Sequence, residues 1–205
     1  MAAPPRTSRR MTASARRDQL LDVTTQLVVE RGFHDISIEQ VARSAGITRA
    51  VVYQHFGDLQ TLLEAVIERE TLRALAQVSE TTFTDLTQGD PTELMLESLR
   101  AYLYAVRDHP GTWRLILMPP EGAPQILHKS IARGRATVLA RLTEAVRPEL
   151  ARDRRLPDAE LTARLLSAIS DEYARLVLTD SARFPPDRLV DHARWWLGRA
   201  WPSVP

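Results

Sequence analysis

The chain has 205 residues, 44% of them apolar, enough to bury one large core or two small ones. It contains no cysteine, which excludes disulfides, thiol catalysis and Cys-ligated zinc, and its net charge of +1 excludes a polycation. No stretch approaches the ~18 apolar residues of a membrane span, and neither arginine pair of the tail leads into an apolar run, so a cytoplasmic protein without a secretory signal is expected.

Residues 1–13 are rich in Pro, Ser and Arg and predict a disordered basic tail. A first helix is expected from about Ala15 to Arg31, with Leu20, Leu21, Leu27 and Val28 inward and Gly32 ending it; Phe33 and Ile36 pack the following loop. Residues 37–56 read SIEQVARSAGITRAVVYQHF. Ser37 starts a short helix whose apolar stripe is Ile38, Val41, Ala42 and Ala45. Gly46 turns the chain, Ile47 plugs the turn, and Thr48 can cap a second helix with Val52 and Phe56 inside. Two short helices joined by a Gly-containing turn is the helix-turn-helix plan. A helical hairpin inside an ordinary core shares the stripe but does not explain the outward residues. Thr48, Arg49, Ala50, Tyr53, Gln54 and His55 include no acid, which suits a polyanion.

Asp58 can cap a long helix over about 59–84, using Leu62, Leu63, Val66 and Leu72. Gly89-Asp90-Pro91 is a turn, a cap and a first-turn proline, opening a helix over about 91–108. His109-Pro110-Gly111 breaks it, a short apolar piece runs from Trp113 to Met118, and residues 124–147 read as helical. Pro148 and Pro157 are expected to bound a polar linker before two last helices, about 158–181 and 186–200. No β-alternation, repeat or Gly-rich phosphate loop is present. The expected fold is all-α with about nine helices: tail 1–13, helix-turn-helix domain 14–60 and a larger helical domain 61–205. Residues 1–57 hold eight arginines against five acids, a surplus of +3 that leaves −2 for the rest of a +1 chain. Lys129 is the sole lysine, a bias that a GC-rich genome produces, so each arginine is not read as a phosphate contact.

The segment Gln19 to Leu63 resembles the TetR/AcrR family of transcriptional regulators. The likeness rests on Arg31-Gly32-Phe33, Ser37-Ile38-Glu39-Gln40-Val41-Ala42, Ala45-Gly46-Ile47-Thr48, Val52-Tyr53-Gln54-His55-Phe56 and Asp58 with its apolar helix, about 45 of 205 residues. The resemblance implies a homodimeric repressor. Its third helix would enter the major groove of a double-stranded operator, and its C-terminal domain would dimerise and bind a small-molecule effector. It implies that Ser37, Thr48, Tyr53 and His55 touch phosphate, that Arg49 and Ala50 reach base edges, and that Gln54 reads a base or a phosphate. Arginine can bond guanine bidentately and alanine can touch a thymine methyl. Many relatives carry Lys where this chain has Leu59; Arg16, Arg17 or the tail are alternative phosphate contacts, with a solvated tail as the simpler reading.

The penultimate helix shows Leu161, Leu165, Ile169, Tyr173 and Leu176 on one face, and the last shows Leu189, Ala193, Trp196 and Leu197, with Trp195 on another side. Such stripes suit a four-helix dimer interface or closure of one chain's core. Leu99, Tyr102, Leu103, Trp113, Leu117, Met118 and Tyr173, with Ile131 and Val138, are candidates to line a cavity for an apolar effector, and core packing explains each one singly. Arg135 and His128 are candidate polar anchors, with a solvated helix face as the simpler reading. Asp171-Glu172 with Arg175 reads as a surface ion pair. The histidines form no HExxH pattern and there is no GxSxG, so neither metal, cofactor nor catalysis is expected. A DNA-binding regulator without an effector, an activator or a global regulator, is the alternative.

Overall fold

The computed structural model describes residues 11–82, 85–86, 89–152 and 158–200. Nine helices are present among them: α1 (Ala13–Arg31), α2 (Ile38–Ser44), α3 (Arg49–Phe56), α4 (Leu59–Thr81), α5 (Pro91–Asp108), α6 (Pro110–Leu117), α7 (Gln125–Arg152), α8 (Ala159–Thr179) and α9 (Pro186–Ala200). No strand occurs among the described residues, and no helix there is long and apolar enough to cross a membrane. Most of the expected tail lies outside the described residues. Its last part is structured, because Thr12 caps α1 by accepting the Ala15 N–H at 3.2 Å.

Local chemistry sets the helix ends. Asp58, Asp90 and Asp158 each accept a backbone N–H three residues on, at 2.7, 3.0 and 3.0 Å, which satisfies a donor that the first turn leaves open. Gly32 stops α1 at φ 81, and a Cβ there would sit 3.1 Å from the Glu121 carbonyl oxygen, so the α1–α2 loop passes directly beside the α6–α7 loop.

Three expectations need correction. The break at His109 is present, but the piece expected from Trp113 starts earlier: Pro110 occupies the first turn of α6, where its missing N–H costs nothing. Pro148 does not end α7. A proline removes one bond to the carbonyl four residues back, and here it stands exposed near the helix end, with Glu149–Arg152 following. Pro157 lies outside the described residues. Leu72 is 59% exposed, since six residues past Val66 is the opposite side of α4.

Two apolar clusters organise the chain. The first joins Leu20, Val28, Val41, Val52, Phe56, Leu62 and Val66 to Leu115 of α6 and to Leu127 and Ile131 of α7. The second lies among α4 to α9 and contains Ala74, Leu96, Leu103, Trp113, Tyr173, Val177 and Leu197. Helix α4 serves both, with Leu62, Val66 and Ile67 in one and Ala74 in the other.

Where they meet, a buried acid ties three helices together. Glu70 of α4 is 1% exposed. It accepts from Arg69 Nε at 2.9 Å, from Arg73 at 3.2 Å, from Thr25 Oγ1 of α1 at 3.3 Å and from Thr112 Oγ1 of α6. Arg69 also reaches Asp22 of α1 at 2.9 Å. A buried carboxylate of this kind is tolerated only when its lone pairs are taken up.

Candidate nucleic-acid interface and internal cavity

Helix α2 is built on a capping box: Ser37 Oγ accepts the Gln40 N–H at 3.3 Å, and the Gln40 side chain accepts the Ser37 N–H at 2.8 Å. Gly46, at φ 67, makes the turn, and Ile47 N–H bonds back to the Ala42 carbonyl at 2.9 Å. Ala42 is 3% exposed, so its small side chain admits the close crossing of α2 and α3. Val52 and Phe56 point into the first cluster and anchor α3.

The opposite face of α3 is open. Thr48, Arg49, Ala50, Tyr53 and Gln54 are exposed, while His55 is half-buried against Phe56. Thr48 occupies the cap position, but its side chain makes no capping bond. This differs from the expectation for its hydroxyl. The Thr48 carbonyl takes the Val51 N–H at 3.1 Å, and the first-turn donors face outward. An anion would find both the free hydroxyl and those donors there.

Two arginines behave in ways that spacing alone does not show. Arg49 pairs with Glu39 of α2 at 2.8 Å, both side chains being substantially exposed. The pairing with Arg49 is the chief cause holding the Glu39 carboxyl below its ordinary value. Arg17 of α1 donates to the His55 carbonyl at 3.1 Å and lies 4.3 Å from the Phe56 ring centre. It therefore completes the C-terminal end of α3 and steadies its aromatic anchor. Leu59 is half-buried against the first cluster; its side chain turns inward, where a lysine would reach out.

The second cluster encloses a cavity of about 150 Å³. Leu99, Tyr102, Trp113 and Leu117 line it, as do Ile131 and Val138. Leu103 is fully buried beside it in the core, and Met118 caps the end of α6 with 44% exposure, turned away from the wall. Tyr173 is also off the wall, because its hydroxyl is engaged by His192 Nδ1 at 2.6 Å and by Trp196 Nε1 at 3.3 Å. Arg135 lines the cavity, whereas His128 is exposed elsewhere on α7.

Asp171 is the residue that a surface-pair reading misses. Glu172 takes Arg175, at 3.3 Å, but Asp171 joins Tyr102 on the cavity wall and stands 3.7 Å from Arg135. Burial pushes its carboxyl above the ordinary value, against the opposing pull of Arg135 and Arg175. The available signal was Tyr102 itself: a tyrosine on an inward stripe must place its hydroxyl on a partner.

The stripes of the last two helices divide. Leu161 and Leu165 of α8 are 59% and 65% exposed, and Trp195 of α9 is 57% exposed. Ile169 and Trp196 turn to the cavity, and Leu176 packs half-buried on the second cluster. Leu189, Ala193 and Leu197 are buried within the chain, because α9 packs along α5. Arg194 holds Glu93 and Arg100 holds Asp187 across that contact.

Residues 20–66 match the family model described as bacterial regulatory proteins, tetR family. An uncharacterised HTH-type transcriptional regulator of Mycobacterium tuberculosis is 31% identical over 130 residues, 62% of this chain and 59% of that protein. The chain thus matches about three fifths of that relative's length. The HTH-type transcriptional activator FasR of Mycolicibacterium smegmatis is 26% identical over 193 residues, 91% of this chain and 83% of that protein. A solved TetR-like transcriptional regulator from Rhodococcus sp. RHA1 shares the fold, with a TM-score of 0.74 at 23% identity over 94% of this chain and 100% of that one.

Proposed function

The chain belongs to the tetR family of bacterial regulatory proteins, and from that premise we propose that it is a sequence-specific DNA-binding regulator, not an enzyme. In this reading it works as a homodimer on a palindromic operator, represses transcription there, and is released by a small, largely apolar ligand. The observation that carries the reading is the outward face of α3: a free Thr48 hydroxyl, open first-turn donors and no acid, on a helix locked from behind by Val52, Phe56 and Arg17.

Each residue then takes a role set by its position. Ser37, Thr48, Tyr53 and His55 hold the phosphate backbone and set the register. Arg49 and Ala50 read base edges, with Gln54 beside them. A homodimer joined through the exposed Leu161, Leu165 and Trp195 would present two recognition helices one DNA turn apart, about 34–36 Å. A ligand in the cavity shifts the protein only if it binds the state with mismatched helices better than the DNA-competent state. The cavity wall is shared by α4, α6 and α7, and these helices also carry the first cluster, so filling it acts on the scaffold of α3. Relatedness to an activator supports a second reading, activation from the same DNA site.

The test is binding of the full chain to the DNA upstream of its own gene, against a scrambled competitor at two salt concentrations. Specific binding that weakens steeply with salt is expected. If that DNA and sites selected from random sequence both bind no better than scrambled DNA, the reading is wrong. A reporter on the bound site separates repression from activation by the sign of its response to gene deletion.

A further inference from the structure

Several polar side chains on the cavity wall turn their protons away from it. Thr71 donates to the Ile67 carbonyl at 2.7 Å and Ser170 to the Leu166 carbonyl at 2.8 Å, so both hydroxyl protons are turned back into their own helices. Trp113 spends its N–H on Gln77 at 2.8 Å, and Trp196 spends its own on the Tyr173 hydroxyl at 3.3 Å. The Tyr102 and Trp113 rings meet edge to face with centres 5.0 Å apart. Among the described residues lining the cavity, Asp171 is the one acid and Arg135 the one cation.

These two charges are not equivalent. Asp171 sits on a short side chain in the cavity wall and is 24% exposed; Arg135 is 55% exposed, at a loose 3.7 Å, on a long side chain that can swing to water. A ligand bearing a positive charge meets a fixed carboxylate and leaves Arg135 free to depart. A ligand bearing a negative charge gains a mobile arginine but is set against that same carboxylate. The carboxylate also has acceptor capacity left, since one ion pair at 3.7 Å does not fill two oxygens.

Resting on the reading of the cavity as a ligand site, we infer that its ligand is an amphipathic amine, with its apolar body among Leu99, Trp113 and Leu117 and its protonated nitrogen on Asp171. The aromatic faces of Tyr102 and Trp113 add to the selection, because ring faces attract cations and not anions. The partial burial of Asp171 works in the same direction: with three quarters of its side chain withdrawn from solvent, a ligand that supplies N–H donors relieves the charge.

The experiment uses the full-length protein and three probes that share one body and differ in the head: phenylbutylamine, phenylbutanol and phenylbutyrate, titrated by calorimetry. The amine is expected to bind about tenfold tighter than the alcohol, the scale of a hydrogen bond to a charged group, with the acid weakest. Asp171→Asn should bring the amine to the level of the alcohol and leave the alcohol within about twofold, while Arg135→Gln should leave the amine no weaker. Asp171→Ala is the companion variant should Asp171→Asn fail to fold, and it should likewise remove the amine's advantage over the alcohol. Equal binding of amine and alcohol, or tightest binding of the acid, overturns the inference while keeping the cavity as a ligand site. Binding of none of the three overturns both.

Discussion

Replacing Glu70 by Ala tests whether the charged tie between α1, α4 and α6 stabilises the chain as its burial implies. Removing one member of a buried pair costs about 3–5 kcal/mol, mostly because charge is left without a partner. Here the lower end applies. Arg69 keeps Asp22 at 2.9 Å and the Asp18 carbonyl at 3.2 Å, and Thr25 keeps the Leu21 carbonyl at 2.9 Å. Thr112 loses its Glu70 acceptor and adds about 1 kcal/mol. A loss of about 3–4 kcal/mol follows, or roughly 10 °C in Tm for a chain of this size. Thermal and guanidinium unfolding followed by circular dichroism would measure it. Glu70→Gln keeps the shape and the hydroxyl contacts and should lose about half as much. A loss below about 1 kcal/mol for Glu70→Ala would put the tie in the class of surface ion pairs and refute the reasoning.

Other outcomes follow from single contacts. Arg49→Ala should relax base preference at one position of each half-site by about 1–3 kcal/mol, read by competition binding on a substituted operator set; a uniform loss on every sequence contradicts its role as a base reader. Leu165→Asp should weaken homodimerisation by about 2 kcal/mol or more and leave helix content unchanged, as sedimentation and circular dichroism would show; an unaltered dimer would remove that face from the interface. Ser37→Ala breaks the capping box and should cost about 1 kcal/mol of stability by denaturant unfolding. The Asp58 carboxyl is held below its ordinary value chiefly by the Thr61 N–H. Its folded value lies below its unfolded one, so its contribution is present above the ordinary carboxylate range and disappears as pH falls through the folded value. Amide exchange at Thr61 should quicken over that acidic window, and Asp58→Asn should flatten the response.

Much of the recognition scaffold is legible in the sequence, because it is governed by local rules. Ser37 and Gln40 sit at capping-box spacing, Gly46 marks a turn needing positive φ, and the stripe through Val41, Ala42, Val52 and Phe56 follows helical periodicity. What escapes reading is contact between segments distant in the chain. Nothing near Arg17 points to the His55 carbonyl, and nothing near Glu39 announces its hold on Arg49. Spacing within α8 pairs Asp171 with Arg175, whereas folding brings in Tyr102 and Arg135 from α5 and α7. The stripe of α9 is apolar by its periodicity, yet periodicity does not say what covers a stripe; α5 of the same chain takes Leu189, Ala193 and Leu197. Pro148 shows the opposite error, a local signal overruled by its setting.

The membership of the first cluster bears on how this protein can be taken apart. Leu115, Leu127 and Ile131, at 0%, 0% and 8% exposed, complete a core otherwise drawn from α1 to α4. A fragment cut after Val66 would leave that core open where those three side chains had filled it, and an open core of this kind favours aggregation over DNA binding. A chimera that grafts this reading head onto a relative's body inherits the same gap unless the three positions travel with it. The exchangeable module is therefore discontinuous in sequence: the first four helices together with a small apolar plug carried by α6 and α7.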